Sequence, residues 1–318
     1  MGSKVILTEN SRNHLSRLIT AAQSIKNLED YSEKPKGVWG CKAIIKCGNI
    51  TIDSSELDVE FTIPFDDNLE VDEGEIIVYN LVNGTISALK TGASKQLKLT
   101  IEAGFEGDTG VIFEGKIAKV SSKREGADRA TTIKVKDGFS NSTEQLIAEG
   151  KLQDSYDGVE AKQILQDLLL AETELNGSAI AKFEVKSNYQ YENSVSISDE
   201  LQAEIKKHSE ICGVSTFKSK GRIYCCALED VANGIGFNVS EETGMIDSPS
   251  PFEEVVTIGG KEEMRKGFDI EMLLQHRAAV GAVVNLNSED YKGKYYVKSG
   301  THRFNISEAT TSLKVVEK

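Results

Sequence analysis

The sequence predicts a mainly β protein of the α+β class. Two related β-barrel domains flank a mixed α/β module, and an N-terminal helix precedes all three. Three observations carry that prediction. Apolar and polar residues alternate through residues 57–65 and 96–103, the period-2 mark of strands with one buried and one wet face. The same spacing returns in the last stretch of the chain, as in Val280, Ala282, Val284 and Leu286. Helical spacing is confined to the N-terminus and the middle. The expected organisation is a helical segment at 1–37, a first barrel at 38–138, the mixed module at 139–233 and a second barrel at 234–318.

In the first segment Leu15, Leu18, Ile19, Ala22, Ile25 and Leu28 recur at helical spacing. Such a stripe suits either packing on its own domain or docking on a partner. The first barrel draws its strands from 42–45, 57–65, 75–79, 96–103, 110–120 and 130–136. Leu97, Leu99, Ile101 and Ala103 should face inward, and Pro64 places an edge or a strand end. A helical turn is expected at 85–90, and 104–110 has the glycine chemistry of a hairpin. In the middle module Ile164, Leu165, Leu168 and Leu169 mark a helix over 160–173. Leu201, Ile205, His208 and Cys212 mark a second, with Ser198 as its N-cap. A hairpin should follow, turning at Lys220-Gly221. Strands at 294–298, 302–306 and 311–316 complete the second barrel.

The two β regions share a pattern. Phe113-Glu114-Gly115-Lys116-Ile117 is matched by Tyr291-Lys292-Gly293-Lys294-Tyr295, and Thr132-Ile133-Lys134-Val135 by Ser312-Leu313-Lys314-Val315. Order and spacing agree, which predicts a duplicated barrel in which Gly115 aligns with Gly293 and Ile133 with Leu313.

Composition narrows the function. The 318 residues carry 37 Lys and Arg against 50 Asp and Glu, a net charge of −13 that disfavours nucleic acid and anionic lipid. Five cysteines without regular spacing argue for a reducing compartment rather than a disulfide framework. No apolar run approaches the ~20 residues of a membrane span, and no signal peptide is expected after Met1-Gly2-Ser3-Lys4. The sequons at Asn49, Asn83, Asn141, Asn176, Asn238 and Asn305 then read as chance.

No catalytic or metal-binding constellation emerges. His14, His208, His276 and His302 lie far apart, and none pairs with another at ligand spacing. His208 reads as a satisfied, half-buried side chain. Cys225 and Cys226 should alternate across a strand, with at most one facing a core. The glycines at 104, 107 and 110 sit beside Glu106 and Asp108 with no following helix, which does not make a phosphate loop. Asp66, Asp67, Asn68, Glu70, Asp72 and Glu73 lack EF-hand spacing and read as a solvated acidic loop. The expectation is no catalytic residues, no cofactor and no metal.

The order of motifs resembles the baseplate hub family of contractile tails, the late-control-D-like hubs of phages and R-type bacteriocins. The residues that carry it are Glu75–Leu81, Leu97–Phe105, Val111–Ile117 and Thr131–Gly138, then Ile164–Ala171, Leu201–Gly213 and Phe217–Tyr224, and finally Leu273-Leu274, Val280-Gly281, Tyr291–Val297 and His302. The resemblance covers about residues 40–318 and leaves out the N-terminal segment. It implies a structural, non-enzymatic protein, made in the bacterial cytoplasm and built into a virion tail or tail-like particle. Its implied partners are two further copies of itself in a homotrimer, the tail tube protein, the central spike protein and other baseplate proteins, with no specific nucleic-acid binding and no membrane insertion. Three copies carrying two barrels each would offer six similar faces to a sixfold tube and remain threefold towards the spike. The strands at 97–103 and 280–286 are the expected lateral contacts. Another tail adaptor, such as a distal-tail or tube-terminating protein, is the alternative within this class. A wall-binding or wall-degrading β protein is the alternative outside it, weakened by a single Trp, Trp39.

Overall fold

The computed structural model describes residues 40–69, 72–137, 143–231, 236–258 and 261–317. The expected N-terminal helix lies outside the described residues.

Strands β1 (Cys41–Cys47), β2 (Ile50–Asp53), β3 (Val59–Phe65) and β4 (Glu73–Tyr79) lead to helix α1 (Asn83–Ser94), followed by β5 (Lys98–Phe105), β6 (Asp108–Glu125) and β7 (Asp128–Lys136). Alternation does what the sequence predicts in β3, where Val59, Phe61 and Ile63 are buried and Thr62 is exposed. Helix α1 is twelve residues rather than a turn, and it has no side-chain N-cap. Its stability comes from Ile86 and Leu89 buried in the first core. It ends where Gln96 turns left-handed (φ 50°) and the Leu97 N–H donates back to the Gly92 carbonyl at 2.9 Å. That closing turn leaves Leu97 40% exposed, contrary to its expected inward position.

The middle contains α2 (Thr143–Ala148), β8 (Ser155–Tyr156), α3 (Ala161–Asn176), β9 (Ala179–Phe183), β10 (Val195–Ser196), α4 (Leu201–Ile211), β11 (Ser215–Ser219), β12 (Arg222–Cys226) and α5 (Leu228–Val231). A three-stranded sheet in the order β11-β12-β9 packs against α3 and α4 through Leu165, Leu168, Ile205 and Ile223. Ser198 does not cap α4. Glu204 reaches back instead and accepts from the N–H groups of Ser198 (3.1 Å) and Asp199 (3.3 Å). Both Cys225 and Cys226 are fully buried, because β12 is covered on both faces.

The last region holds β13 (Gly236–Val239), β14 (Ser250–Ile258), β15 (Lys261–Leu273), β16 (Val283–Asn287), β17 (Lys292–Phe304) and β18 (Ala309–Val316). The two strands expected at 294–298 and 302–306 are one, β17, and Ile306 stands 90% exposed in the turn after it. Val280 and Ala282 are buried in the turn before β16 rather than in a strand.

The expected pair of separate barrels is not what the pairing gives. Among the described residues no strand pairing closes a barrel, and both β regions belong to one thirteen-stranded sheet in the order β14-β15-β18-β17-β3-β4-β7-β6-β5-β1-β2, with β13 and β16 branching from β17. Within it, β3-β4-β7-β6-β5 and β14-β15-β18-β17-β16 follow the same order with every neighbour antiparallel. Both long strands carry a bulge, after Ile117 in β6 and after Val297 in β17. Ile133 faces Val120 as Leu313 faces Gly300, so those positions correspond. The bulges place Tyr295, not Gly293, in the position of Gly115; the aromatic-x-Gly-Lys match is two residues out of register.

Candidate assembly surface

Strand β17 joins the two β regions. Along one edge it pairs first with β16, through residues 292–296, and then with β3, where Gly300 faces Phe65 and Phe304 faces Phe61. Its other edge pairs with β18. Strand β6 has the same build with one member missing. Its first half pairs with β5 and its second half with β7, and among the described residues no strand pairs with 120–124 on the edge where β17 carries β3. Strand β14 pairs with β15 alone, and its other edge has no strand among the described residues. The strands expected to make lateral contacts are therefore interior: β5 lies between β1 and β6, and β16 between β13 and β17.

The wet face is ordered in charge. Reading across the register, Lys119 faces Lys134, Lys134 faces Glu75, Glu75 faces Thr62 and Thr62 faces Arg303. In the second region Ser299 faces Lys314, Lys314 faces Asp269 and Asp269 faces Ser250. Each row sets a lysine against a carboxylate across one strand pair, the favourable cross-strand arrangement. The row ends at Ser250, on the open edge of β14. The open edge of β6 carries exposed Lys119, Lys123 and Arg124, and β14 carries exposed Glu253.

A polar clasp holds three parts together behind this sheet. Asp108, at the β5–β6 turn, accepts two hydrogen bonds of 2.7 Å from Arg277 and contacts His276 Nε2 at 2.9 Å. Burial alone would raise the Asp108 carboxyl, but the bonds from Arg277 and His276 outweigh it and hold it below the usual range. Lys220, in the β11–β12 turn, donates to the His276 carbonyl at 2.6 Å. Burial, with Arg277 nearby, pulls the Lys220 ammonium down to about 8. This arrangement ties elements together. An open groove of about 530 Å³ crosses the wet face near Phe65, Asp269 and Lys314.

The other singled-out residues are dispersed. His208 is fully buried rather than half-buried, with Nδ1 3.2 Å from the Tyr191 hydroxyl and Nε2 without a hydrogen-bond partner. His302 is fully buried, with Nδ1 2.9 Å from Thr311 Oγ1. His14 lies outside the described residues. In the acidic loop Asp66 accepts from the Asn68 backbone and side chain at 3.0 and 2.6 Å. Among the described residues no three metal-ligating side chains gather, and no helix is long and apolar enough to cross a membrane. Sequence reasoning missed the clasp because Asp108 and Arg277 are far apart in the chain and lie in turns without periodic signal.

No family model matches the chain, and no curated protein matches it in sequence. Solved structures do match in fold. A tail protein from Neisseria meningitidis superposes with a TM-score of 0.58 at 8% identity, over 88% of this chain and 97% of that one. The 43 kDa tail protein of prophage MuSo2 from Shewanella oneidensis gives 0.53 at 8% identity, over 86% and 97%. An Escherichia coli component of the type VI secretion system gives 0.57 at 11% identity, over 86% and 76%. The chain has the fold of these tail and secretion-system proteins.

Proposed function

We propose that the protein is the structural hub of a contractile tail or tail-like particle. Three copies form a ring that joins a sixfold tail tube to a threefold central spike, with other baseplate proteins around it. The observation that carries this reading is the repeated strand order of the two β regions, laid side by side in one sheet by the pairing of β17 with β3. Two similar units per chain reconcile three copies with sixfold symmetry on one side, while their differences keep the other side threefold. The middle module, held to both units by the clasp, fixes their relative position. The shared fold with tail proteins supports the same reading.

The test is copy number in the assembled parent particle, by a reconstruction without imposed symmetry. Three copies per tail at the tube–spike junction are expected. Six copies, one copy, or a position away from that junction would overturn the assignment.

A further inference from the structure

The groove on the wet face of the second region and the apolar stripe near the start of the sequence are complementary. We propose that residues 10–29 dock across this groove as an amphipathic helix, within the same chain. The inference stands apart from the hub reading.

The groove suits a cationic segment. It follows the row Pro64–Thr301–Ser312–Glu271, beyond which the Ile246 N–H donates to the Glu271 carbonyl at 2.9 Å. Small side chains at Pro64, Thr301 and Ser312 keep the floor low, and Ile246, 48% exposed, adds an apolar contact at one rim. Asp66, Asp247, Asp269 and Glu271 bring four carboxylates against one lysine. That lysine, Lys314, leans out along β14, with its ammonium 4.2 Å from the Phe252 ring centroid and 3.8 Å from Glu254. Glu254 shares its charge, so the groove keeps a negative potential.

The chain itself supplies the complement. Residues 1–39 hold six Lys and Arg against four Asp and Glu, a charge of +2, whereas the remaining 279 residues carry −15. At helical spacing Arg12 and Lys26 are close to four turns apart, so they share the side of Leu15, Leu18, Ile19 and Ala22. Along such a helix they are about 21 Å apart. Asp66 and Asp247 border the groove at opposite ends of the row, about 19 Å apart at the usual strand spacing. Cations at both ends of the apolar stripe thus meet carboxylates at both ends of the groove.

The place where the segment joins the fold allows docking within one chain. The described residues begin at Gly40, whose carbonyl accepts from the Glu106 N–H at 3.1 Å. Two residues on, Asp108 holds Arg277, and Arg277 is six residues from Glu271, at most about 20 Å of extended chain. The ten residues 30–39 reach up to about 35 Å, which bridges from the clasp to the groove. Tethering keeps the effective concentration of the segment of the order of mM, so modest contacts suffice. Docking also removes the stripe from water.

The experiment uses the full chain with Ile19→Cys and Thr301→Cys combined, treated in dilute solution with a short bismaleimide. A link within one chain should form, several-fold above either single variant. It should also exceed that of Ile19→Cys with Ser121→Cys, a position exposed on the first region. Equal yields in these controls would overturn the proposal. Mixing isotope-labelled with unlabelled chains and weighing the linked peptides identifies the source of each half. Links between like isotopes alone are expected; mixed links would put the segment on a second copy and overturn docking within the chain. As a second arm, Arg12→Glu with Lys26→Glu should reduce the link several-fold, and adding Asp247→Lys with Asp269→Lys should restore part of it. A link indifferent to the charge reversal, or one without recovery, would overturn the charge-directed fit.

Discussion

Phe61 of β3 stacks on Phe304 of β17 with ring centroids 5.2 Å apart and planes only 12° from parallel. The stack sits where the two β regions meet, and it draws a residue from the last region into the core of the first. Phe304→Ala should cost about 3–5 kcal/mol in urea unfolding, the range for deleting a buried phenylalanine. Phe61→Ala should cost a similar amount, and the pair should couple by about 0.5–1.5 kcal/mol. Additive losses would show that the rings do not act together.

The buried ion pair Lys218–Glu172, at 2.6 Å and with side chains 6% and 0% exposed, should respond asymmetrically. Lys218→Ala removes the bonded cation from a buried carboxylate and should destabilise by about 3–5 kcal/mol. Lys218→Met with Glu172→Leu should cost less than about 1 kcal/mol, since apolar replacements of a whole buried pair are often neutral. A double variant as weak as the single would contradict this.

Stability should depend on pH through groups that pull in opposite directions. Burial pushes His302 down to about 3 and His208 to about 4, against about 6.5 in an unfolded chain. Below pH 6.5 the unfolded chain takes up protons that the folded one refuses, so each histidine lowers stability as pH falls, by about 1.4 kcal/mol per pH unit. Asp137 runs the other way: burial, with Asp72 beside it, raises it to about 7, so its contribution is lost as pH rises from about 4 towards 7. His302→Gln should flatten the dependence between pH 4 and 6, and Asp137→Asn should steepen it, as read from denaturant midpoints. Unchanged slopes would refute both assignments.

Gly281 combines a left-handed backbone, φ 76°, with Val231 packed where a Cβ would sit. Gly281→Ala should lower stability by about 2–4 kcal/mol, from backbone strain and overpacking together. Adding Val231→Ala should recover part of the loss. Recovery stays partial because the Val231 Cβ, the nearest atom, remains; no recovery would show that the Val231 methyls are not what the new side chain meets.

Local pattern carried much of this architecture. The alternation at Val59, Phe61 and Ile63, the helical stripe at Ile164, Leu165 and Leu168, and the Lys220-Gly221 turn are all present as read. What failed was non-local. Whether Pro64 ends at an edge depends on Thr301, its partner in β17, and nothing near Pro64 in sequence says so. The polar Lys298–Thr301 stretch suggested a break between two strands, but continuous pairing with β18 carries β17 through it. The apparent match of Gly115 to Gly293 kept residue types while missing the register set by the bulges. The assembly surface was legible as a duplication but not as edges, because openness of an edge belongs to the sheet and not to any residue.

The shared strand also has a consequence for synthesis. The outer edge of β3 is complete early, yet its partner Gly300–Phe304 leaves the ribosome roughly 235 residues later. Until then β3, already paired with β4, presents an open outer edge, and Phe61 lacks the ring that will cover it. Closing so long a loop is entropically costly and slow. The emerging chain is thus most vulnerable to aggregation in the interval when its own second half offers the same kind of edge, and fragments that stop just before β17 should collect in inclusion bodies even though every buried residue of the first core is present in them except Phe304.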